Sequence, residues 1–316
     1  MFRTLPCRIP ICAVALFACA RSEPAPGTLE ADTMEPAPLA VFVVNYPLLY
    51  FAERIGGEQV EVTLPAPADV DPADWSPAPE TVAAYQRADL ILLNGAGYAG
   101  WVERSTLPPS KLVDTFAALR DRLIPLEESV AHSHGPEGEH SHKGTASITW
   151  LDPTLAVEQA RSIADAFMQA RPTQKEAFQA GFEALEADLH ELDGELAAVA
   201  KSLAGRPLLF SHPVYQYFVR RYSLNGRSLH WEPDQVPDEA MWRAFEELLA
   251  SHQARWMIWE GEPGEETVTR LEAAGLGSLV YEICANVPED GDFLATMRRN
   301  LAALESASAP RVLVQR

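Results

Sequence analysis

The sequence predicts an α/β protein of two lobes, each with a mainly parallel sheet flanked by helices, bridged by one long helix. Apolar runs of strand type alternate with helical segments from about residue 40, and the same alternation restarts after residue 203. The stretch 153–203 between these regions is helical in pattern almost throughout. Strands that alternate with helices form parallel sheets covered by helices, so we expect one such sheet on each side of the bridging helix.

The first lobe is predicted over residues 40–172. Its apolar strand-like runs are followed by helical segments that stop at glycine or lead into the next strand. The predicted strands are AVFVVNY (40–46), VEVTLP (60–65), DLILLNG (89–95) and KLVDT (111–115), and the helices are PLLYFAERIGG (47–57) and APETVAAYQRA (78–88).

The bridging helix is predicted over residues 173–203, which is long for a globular protein. Its apolar residues recur at intervals of three and four, which gives the helix one apolar face. They are Phe178, Phe182, Leu185, Leu189, Leu192 and Leu196. The second lobe is predicted over residues 204–316, where the strand candidates are PLLFSHP, RSLHWEP, ARWMIWEGEP and SLVYEI.

Residues 1–19 have the pattern of a signal peptide, because Arg3 and Arg8 precede an apolar run too short to cross a bilayer as a mature helix. The run ends in LFAC, which resembles a bacterial lipobox and makes Cys19 the expected lipidated residue. Residues 20–39 are rich in Pro, Ala and acidic residues and predict a flexible tether. We therefore expect an exported protein, periplasmic or at the cell surface, that contacts the membrane only through this anchor.

The composition excludes several classes of partner and activity. The formal net charge of −20 argues against nucleic acid or an anionic membrane surface and is compatible with a cationic ligand. An acidic surface that only maintains solubility explains the charge equally well. The sequence has no HExxH motif, phosphate-binding glycine loop or nucleophile–base pair, so we expect no catalysed reaction.

Five segments occur in an order typical of one protein family: ADLILLNGAGYAGWVE, WLDP, the long helix, FSHPVYQYFVRRYSLNG and GDFLATMRRNL. Over roughly residues 40–305 the chain resembles the zinc- and manganese-binding substrate-binding lipoproteins of ABC transporters. The resemblance implies a rigid linking helix, a metal cleft between the lobes and a transporter permease as recipient. Zinc is the expected ion, ahead of manganese or another divalent metal, and we expect a monomer.

The resemblance also implies a ligand set, which this chain matches only in part. Two histidines expected from the first lobe are replaced by Ala73 and Ile148, which offer no metal-binding atom. The third ligand falls on His212 and the fourth, a carboxylate, on Glu282. Because a transition-metal site usually has about four N, O or S donors, other residues must complete the site, or the cleft no longer holds a metal.

Further donors follow the predicted strands of the second lobe. Glu260 and Glu262 come at the end of an apolar strand, where ligands of open α/β sheets gather. His230 and Glu232 share a strand face, although a structural histidine and a turn or cap glutamate are competing interpretations. Cys284 shares a face with Glu282 and is either a thiolate ligand or a packed apolar residue.

In the first lobe, Asp74 beside Ala73 is either a weak carboxylate ligand or a structural residue. A second source of ligands is the tract AHSHGPEGEHSHKG, residues 131–144, with His132, His134, His140 and His142. Neutral imidazole binds zinc, copper and nickel, so a dense group of histidines on a flexible loop favours metal contact over an inert loop. Binding there would be weaker than in a preformed site, because the loop must order around the ion.

The first hypothesis is an exported solute receptor that binds zinc through His212 and Glu282 and delivers it to an ABC-transporter permease. The alternative is a divergent receptor or metallochaperone whose cleft no longer holds a bare transition metal and binds a chelated metal or another small ligand. An exported hydrolase with a carboxylate-rich site at Glu260, Glu262 and Glu282 is the third.

Overall fold

Two four-stranded parallel sheets organise the computed structural model of the protein. It describes residues 37–126, 131–133, 139–141 and 144–308. The strands of the N-terminal sheet are β1 (Leu39–Val43), β2 (Val60–Thr63), β3 (Leu90–Leu93) and β4 (Leu112–Asp114), in the order β2-β1-β3-β4. Each neighbouring pair is parallel, which confirms the fold class predicted for this half.

Residues 131–133 (β5) and 139–141 (β6) form a separate two-stranded antiparallel sheet within the histidine tract. Its register places the backbone of His132 opposite that of His140. His134 and His142 lie outside the described residues, as do Cys19 and the predicted signal peptide and most of the tether.

The C-terminal sheet repeats the parallel pattern. Its strands are β7 (Pro207–Phe210), β8 (Asn225–Ser228), β9 (Trp256–Trp259) and β10 (Gly277–Val280), in the order β10-β9-β7-β8. All of its neighbouring pairs are parallel. Because parallel strands end at the same sheet edge, the loops after β8, β7 and β9 meet there side by side.

Helices connect and cover the two sheets. They are α1 (Tyr46–Gly56), α2 (Pro79–Arg87), α3 (Pro153–Ala170), α4 (Lys175–Ser202), α5 (Gln216–Tyr222), α6 (Glu239–Ser251), α7 (Glu265–Ala273) and α8 (Phe293–Ser308). Local sequence fixes several starts: Asn45 caps α1 by accepting from Leu48 N, and Asp152 caps α3 by accepting from Thr154 N. Among the described residues, no helix combines the length and apolar character needed to cross a membrane.

The long helix α4 has 28 residues, two fewer at its start and one fewer at its end than predicted. All six apolar residues of its predicted face are buried. It packs closely on α1 at Gly181, where a Cβ atom would lie 2.4 Å from the carbonyl oxygen of Ile55. Only glycine permits this approach.

The largest hydrophobic core is shared by the two sheets. It includes Val41 and Ile91 of the N-terminal sheet, Leu208 and Ile258 of the C-terminal sheet, and the buried face of α4. The described residues accordingly belong to one compact unit. The lobe boundaries at residues 172 and 204 stay a prediction.

Candidate metal site

His212 lies at the carboxyl edge of the C-terminal sheet, two residues after β7. Ser211 N donates to Ile258 O, and Trp231 N donates to Ser211 O, so neighbouring strand ends hold the backbone on both sides of this point. Glu260 follows β9 directly, and Glu232 follows β8 by four residues. The three side chains therefore lie in the loops that follow three adjacent parallel strands.

The imidazole of His212 lies between the two carboxylates. Its Nδ1 is 3.0 Å from Glu260 Oε1, and its Nε2 is 3.4 Å from Glu232 Oε1. One donor atom from each of the three residues lies within 4.8 Å of the others, and within the described ranges no other group of three His, Cys, Asp or Glu residues meets this condition. We call these three residues the acid–imidazole cluster.

The cluster is largely withdrawn from solvent, with 12% of the His212 side chain and 14% of the Glu260 side chain exposed. Burial alone would lower the pKa of His212, but the hydrogen bond that its ring donates to Glu260 and the charges of Glu260, Glu232 and Asp71 outweigh it and raise that pKa. Burial, reinforced by the charge of Glu260, raises the pKa of Glu232 to about 7. His212 and Glu232 therefore bind protons more tightly than the same side chains would in water.

Asp71, in the loop between β2 and α2, adds a carboxylate from the N-terminal half of the chain. It keeps exposed surface, but protein atoms crowd its carboxylate, and this desolvation raises the pKa of Asp71 to about 6. The charges of Asp74, Glu260 and His212 also act on it, but Asp71 is not among the three residues whose donor atoms lie within 4.8 Å of one another. The Asp71 carboxylate accepts a hydrogen bond from Ala73 N, which fixes its orientation in the loop.

The structure brings together only some of the donors predicted from sequence. His212 and Glu260 are in the acid–imidazole cluster, and the His230 ring centroid is 6.4 Å from that of His212. Glu282 is outside the cluster: its carboxylate is 3.8 Å from the guanidinium of Arg299, and its backbone exchanges two hydrogen bonds with the Asn300 side chain.

The remaining candidates have other environments. Glu262 and Asp74 are exposed, and the side chain of Ile148 is buried. Cys284 is buried in the shared core, and burial raises the pKa of its thiol to about 12, which disfavours the thiolate that a metal requires.

Sequence reasoning did not select Glu232, because a turn or cap role competed with a ligand role. The structure shows both features: its carbonyl accepts from Gln235 N while its carboxylate faces His212. Glu232 could have been found from its place after β8, the strand next to β7, which leads to His212. Asp71 was not among the residues that the sequence singled out.

Comparison with known proteins gives the family context of this site. The family described as "Zinc-uptake complex component A periplasmic" matches residues 41–307. The chain belongs to this family. The high-affinity zinc uptake system protein ZnuA of Bacillus subtilis is 27% identical over 280 residues, which are 85% of this chain and 87% of that protein.

Two further family members differ more. The zinc-binding protein AdcA of Streptococcus pyogenes is 22% identical over 84% of this chain, which corresponds to 55% of the longer AdcA. The crystal structure of the metal-dependent lipoprotein YcdH of Bacillus subtilis superposes with a TM-score of 0.73 at 21% identity, over 85% of this chain and 98% of that one. The two-sheet architecture is therefore the architecture of the zinc-uptake family.

Proposed function

We propose that this protein is an exported receptor that captures Zn²⁺ in the acid–imidazole cluster and delivers it to the permease of an ABC transporter. The observation that carries the proposal is His212 between Glu232 and Glu260, three donor atoms within 4.8 Å at one sheet edge. Asp71 would supply a fourth donor from the N-terminal half, and four N or O donors match what zinc sites use. Family membership and the zinc-binding relatives support this reading.

The rest of the proposal concerns where the receptor works and what the histidine tract does. Export and lipid attachment at Cys19 would hold the receptor at a membrane, where a permease can take the ion. The tract with His132, His134, His140 and His142 would collect metal more weakly than the cluster. No reaction is assigned to the protein.

The donor set also favours a second candidate ion. One imidazole and three carboxylates form a harder, more oxygen-rich set than a site built on several histidines, and oxygen donors suit Mn²⁺. Competition between Zn²⁺ and Mn²⁺ at the same site would decide between the two ions. A divergent receptor for a chelated metal or another small ligand would bind neither bare ion through His212.

Calorimetric titration with Zn²⁺ tests the proposal on four proteins: the wild type, His212→Ala, His190→Ala and a deletion of residues 131–144. His190 is exposed on α4 and serves as the matched control. We expect one tight site that persists in the deletion and the control and is weakened at least about 100-fold in His212→Ala, as for loss of a metal-site residue. Binding that disappears with residues 131–144 and persists in His212→Ala would instead assign metal handling to the tract.

A further inference from the structure

Residues 283–286, which we call the crossing segment, follow β10 and bind the N-terminal half of the protein through their backbone. Trp150 Nε1 donates to Ile283 O at 2.7 Å, and Tyr46 N donates to Ala285 O at 2.9 Å. Cys284 between them has a φ of 58°, a left-handed conformation that few residues other than glycine adopt. The backbone of the segment is therefore fixed against the N-terminal half at two points.

Asn286 extends this contact with its side chain. Its Nδ2 donates to Pro67 O at 2.6 Å and to Val70 O at 2.8 Å, and its Oδ1 accepts from Val287 N at 2.8 Å. Both N–H groups and the oxygen of the amide are thus used. The two carbonyl partners lie in the loop between β2 and α2, immediately before Asp71.

The loop that Asn286 holds is itself ordered by short-range hydrogen bonds. Val70 N donates to Pro67 O, and both Asp74 N and Trp75 N donate to Asp71 O. The Asp71 carboxylate is then fixed by the bond from Ala73 N at 2.8 Å. A loop with this internal order moves as a unit, so whatever anchors residues 67–70 also sets the position of Asp71.

We propose that Asn286 is a positioning residue for metal capture: from the C-terminal half of the chain it anchors the loop that carries Asp71, the carboxylate proposed above as the fourth donor. The proposal rests on the proposed function, since it assigns Asn286 a part in the same metal site. Asn286 does not touch the ion. Without its two N–H donors, the carbonyls of Pro67 and Val70 would bind water and the loop would be free to carry Asp71 away from the cluster.

The first test is Zn²⁺ affinity and the Zn²⁺ dissociation rate into excess chelator for Asn286→Ala. We expect affinity to fall about tenfold, mainly through faster dissociation, because two hydrogen bonds that fix one half of the site are lost. The matched control is Asn225→Ala, which removes the hydrogen bond that Asn225 Nδ2 donates to Gly205 O at 3.4 Å within the C-terminal half. That variant is expected to bind Zn²⁺ as the wild type does.

A double-mutant cycle with Asp71→Asn separates positioning from general destabilisation. If Asn286 acts through Asp71, then Asn286→Ala changes Zn²⁺ affinity less than about twofold once Asp71 is Asn, because the two effects are not additive. An equal loss in both backgrounds, or unchanged affinity in Asn286→Ala alone, would overturn the proposal.

A measurement without metal keeps this inference distinct from the proposed function. Amide exchange at Asp74 and Trp75 is expected to accelerate in Asn286→Ala and not in Asn225→Ala, because both amides donate to Asp71 O. Unchanged exchange refutes the role of Asn286 even if His212→Ala abolishes Zn²⁺ binding. Conversely, Zn²⁺ binding that is unchanged in His212→Ala refutes the proposed function. Faster amide exchange in Asn286→Ala would still show that Asn286 holds the loop.

Discussion

The carboxyl edges of the two sheets both contain polar side chains, but those of one edge are neutral and those of the other are ionisable. At the N-terminal sheet, five neutral residues form a buried network: Asn45, Asn94, Thr115, Thr149 and Gln159, each at most 1% exposed. The Asn94 carboxamide oxygen accepts from Asn45 Nδ2, and Gln159 Nε2 donates to Thr115 Oγ1. At the C-terminal sheet, the equivalent edge carries one imidazole between two carboxylates.

This difference fits a structural role for the neutral edge and the proposed metal-binding role for the charged edge. The neutral network satisfies its hydrogen bonds internally, so it stabilises the fold without any further partner. In the acid–imidazole cluster, burial and then repulsion by the charge of Glu260 raise the pKa of Glu232. A divalent cation would relieve that repulsion, whereas nothing at the neutral edge would gain from one.

The largest expected effect comes from neutralising the charged edge. The double variant Glu232→Gln/Glu260→Gln is expected to lose at least about 100-fold in Zn²⁺ affinity, more than partners outside a coordination sphere contribute. Its free energy of unfolding without metal should change little, because the lost repulsion between the two carboxylates offsets the lost ion pairs with His212. Calorimetry and chemical denaturation measure the two quantities.

The matched control for that pair is Glu266→Gln/Glu289→Gln, which makes the same charge change at two exposed positions. Equal loss of affinity in the control would mean that overall charge, and not the cluster, determines binding.

The neutral edge should respond in the opposite way. Asn94→Ala leaves the buried Asn45 Nδ2 without its acceptor and leaves Ser147 O without the donor Asn94 Nδ2, which costs roughly 1–3 kcal/mol for each buried group left unsatisfied. We expect the free energy of unfolding to fall by about 2 kcal/mol or more, with Zn²⁺ affinity changed far less than in the glutamine pair. A large loss of affinity at full stability would contradict the distinction between the edges.

Lowering the pH distinguishes the two sheet edges, because the acid–imidazole cluster has side chains that take up protons and the neutral network has none. The pKa of Glu232 is about 7 and that of Asp71 about 6, and that of His212 is raised. Since metal binding requires the deprotonated groups, protons compete increasingly as the pH falls. Apparent Zn²⁺ affinity should drop at least about tenfold from pH 7.5 to 5.5. Titration in buffers of different ionisation enthalpy should also detect proton release on binding, and pH-independent affinity would exclude these groups as ligands.

The smallest effect is expected in the loop after β3. Ala96 and Ala99 have φ values of 54° and 56°, in the left-handed region that disfavours alanine. Ala99→Gly should raise the free energy of unfolding by about 0.5–1 kcal/mol, the strain relief exceeding the extra entropy of the unfolded glycine. Thermal denaturation measures the change, and Zn²⁺ affinity should stay at the wild-type value.

Much of the fold could be predicted because it depends on short-range pattern. The apolar runs that start the N-terminal sheet and the period of the long helix fix which segments are strands and which face of α4 is buried. The predicted helix over 173–203 and the observed α4 (Lys175–Ser202) differ only at the ends. Helix ends depend on capping contacts, which a single sequence constrains poorly.

The site was harder to predict because its side chains follow strands and are not part of them. Glu260 directly follows β9, so its place at a strand end was sufficient to find it, whereas His212 was found through the resemblance to the family. Glu232 lies further into a loop, and Asp71 lies in a loop that follows a strand of the other sheet. Strand periodicity does not determine where such loop residues point, and the same limit applies to Glu282, whose carboxylate is near Arg299.

Because Gly181 has no side chain, its close contact with Ile55 sets the spacing of α1 and α4. From residue 181 to the end of α4 the helix rises about 31 Å, so a tilt of about 4° would displace that end by roughly 2 Å. A single methyl group added at position 181 would therefore push the two helices apart. Metal coordination tolerates errors of only tenths of an ångström, so a change at this glycine would alter the proposed metal site without replacing any of its ligands.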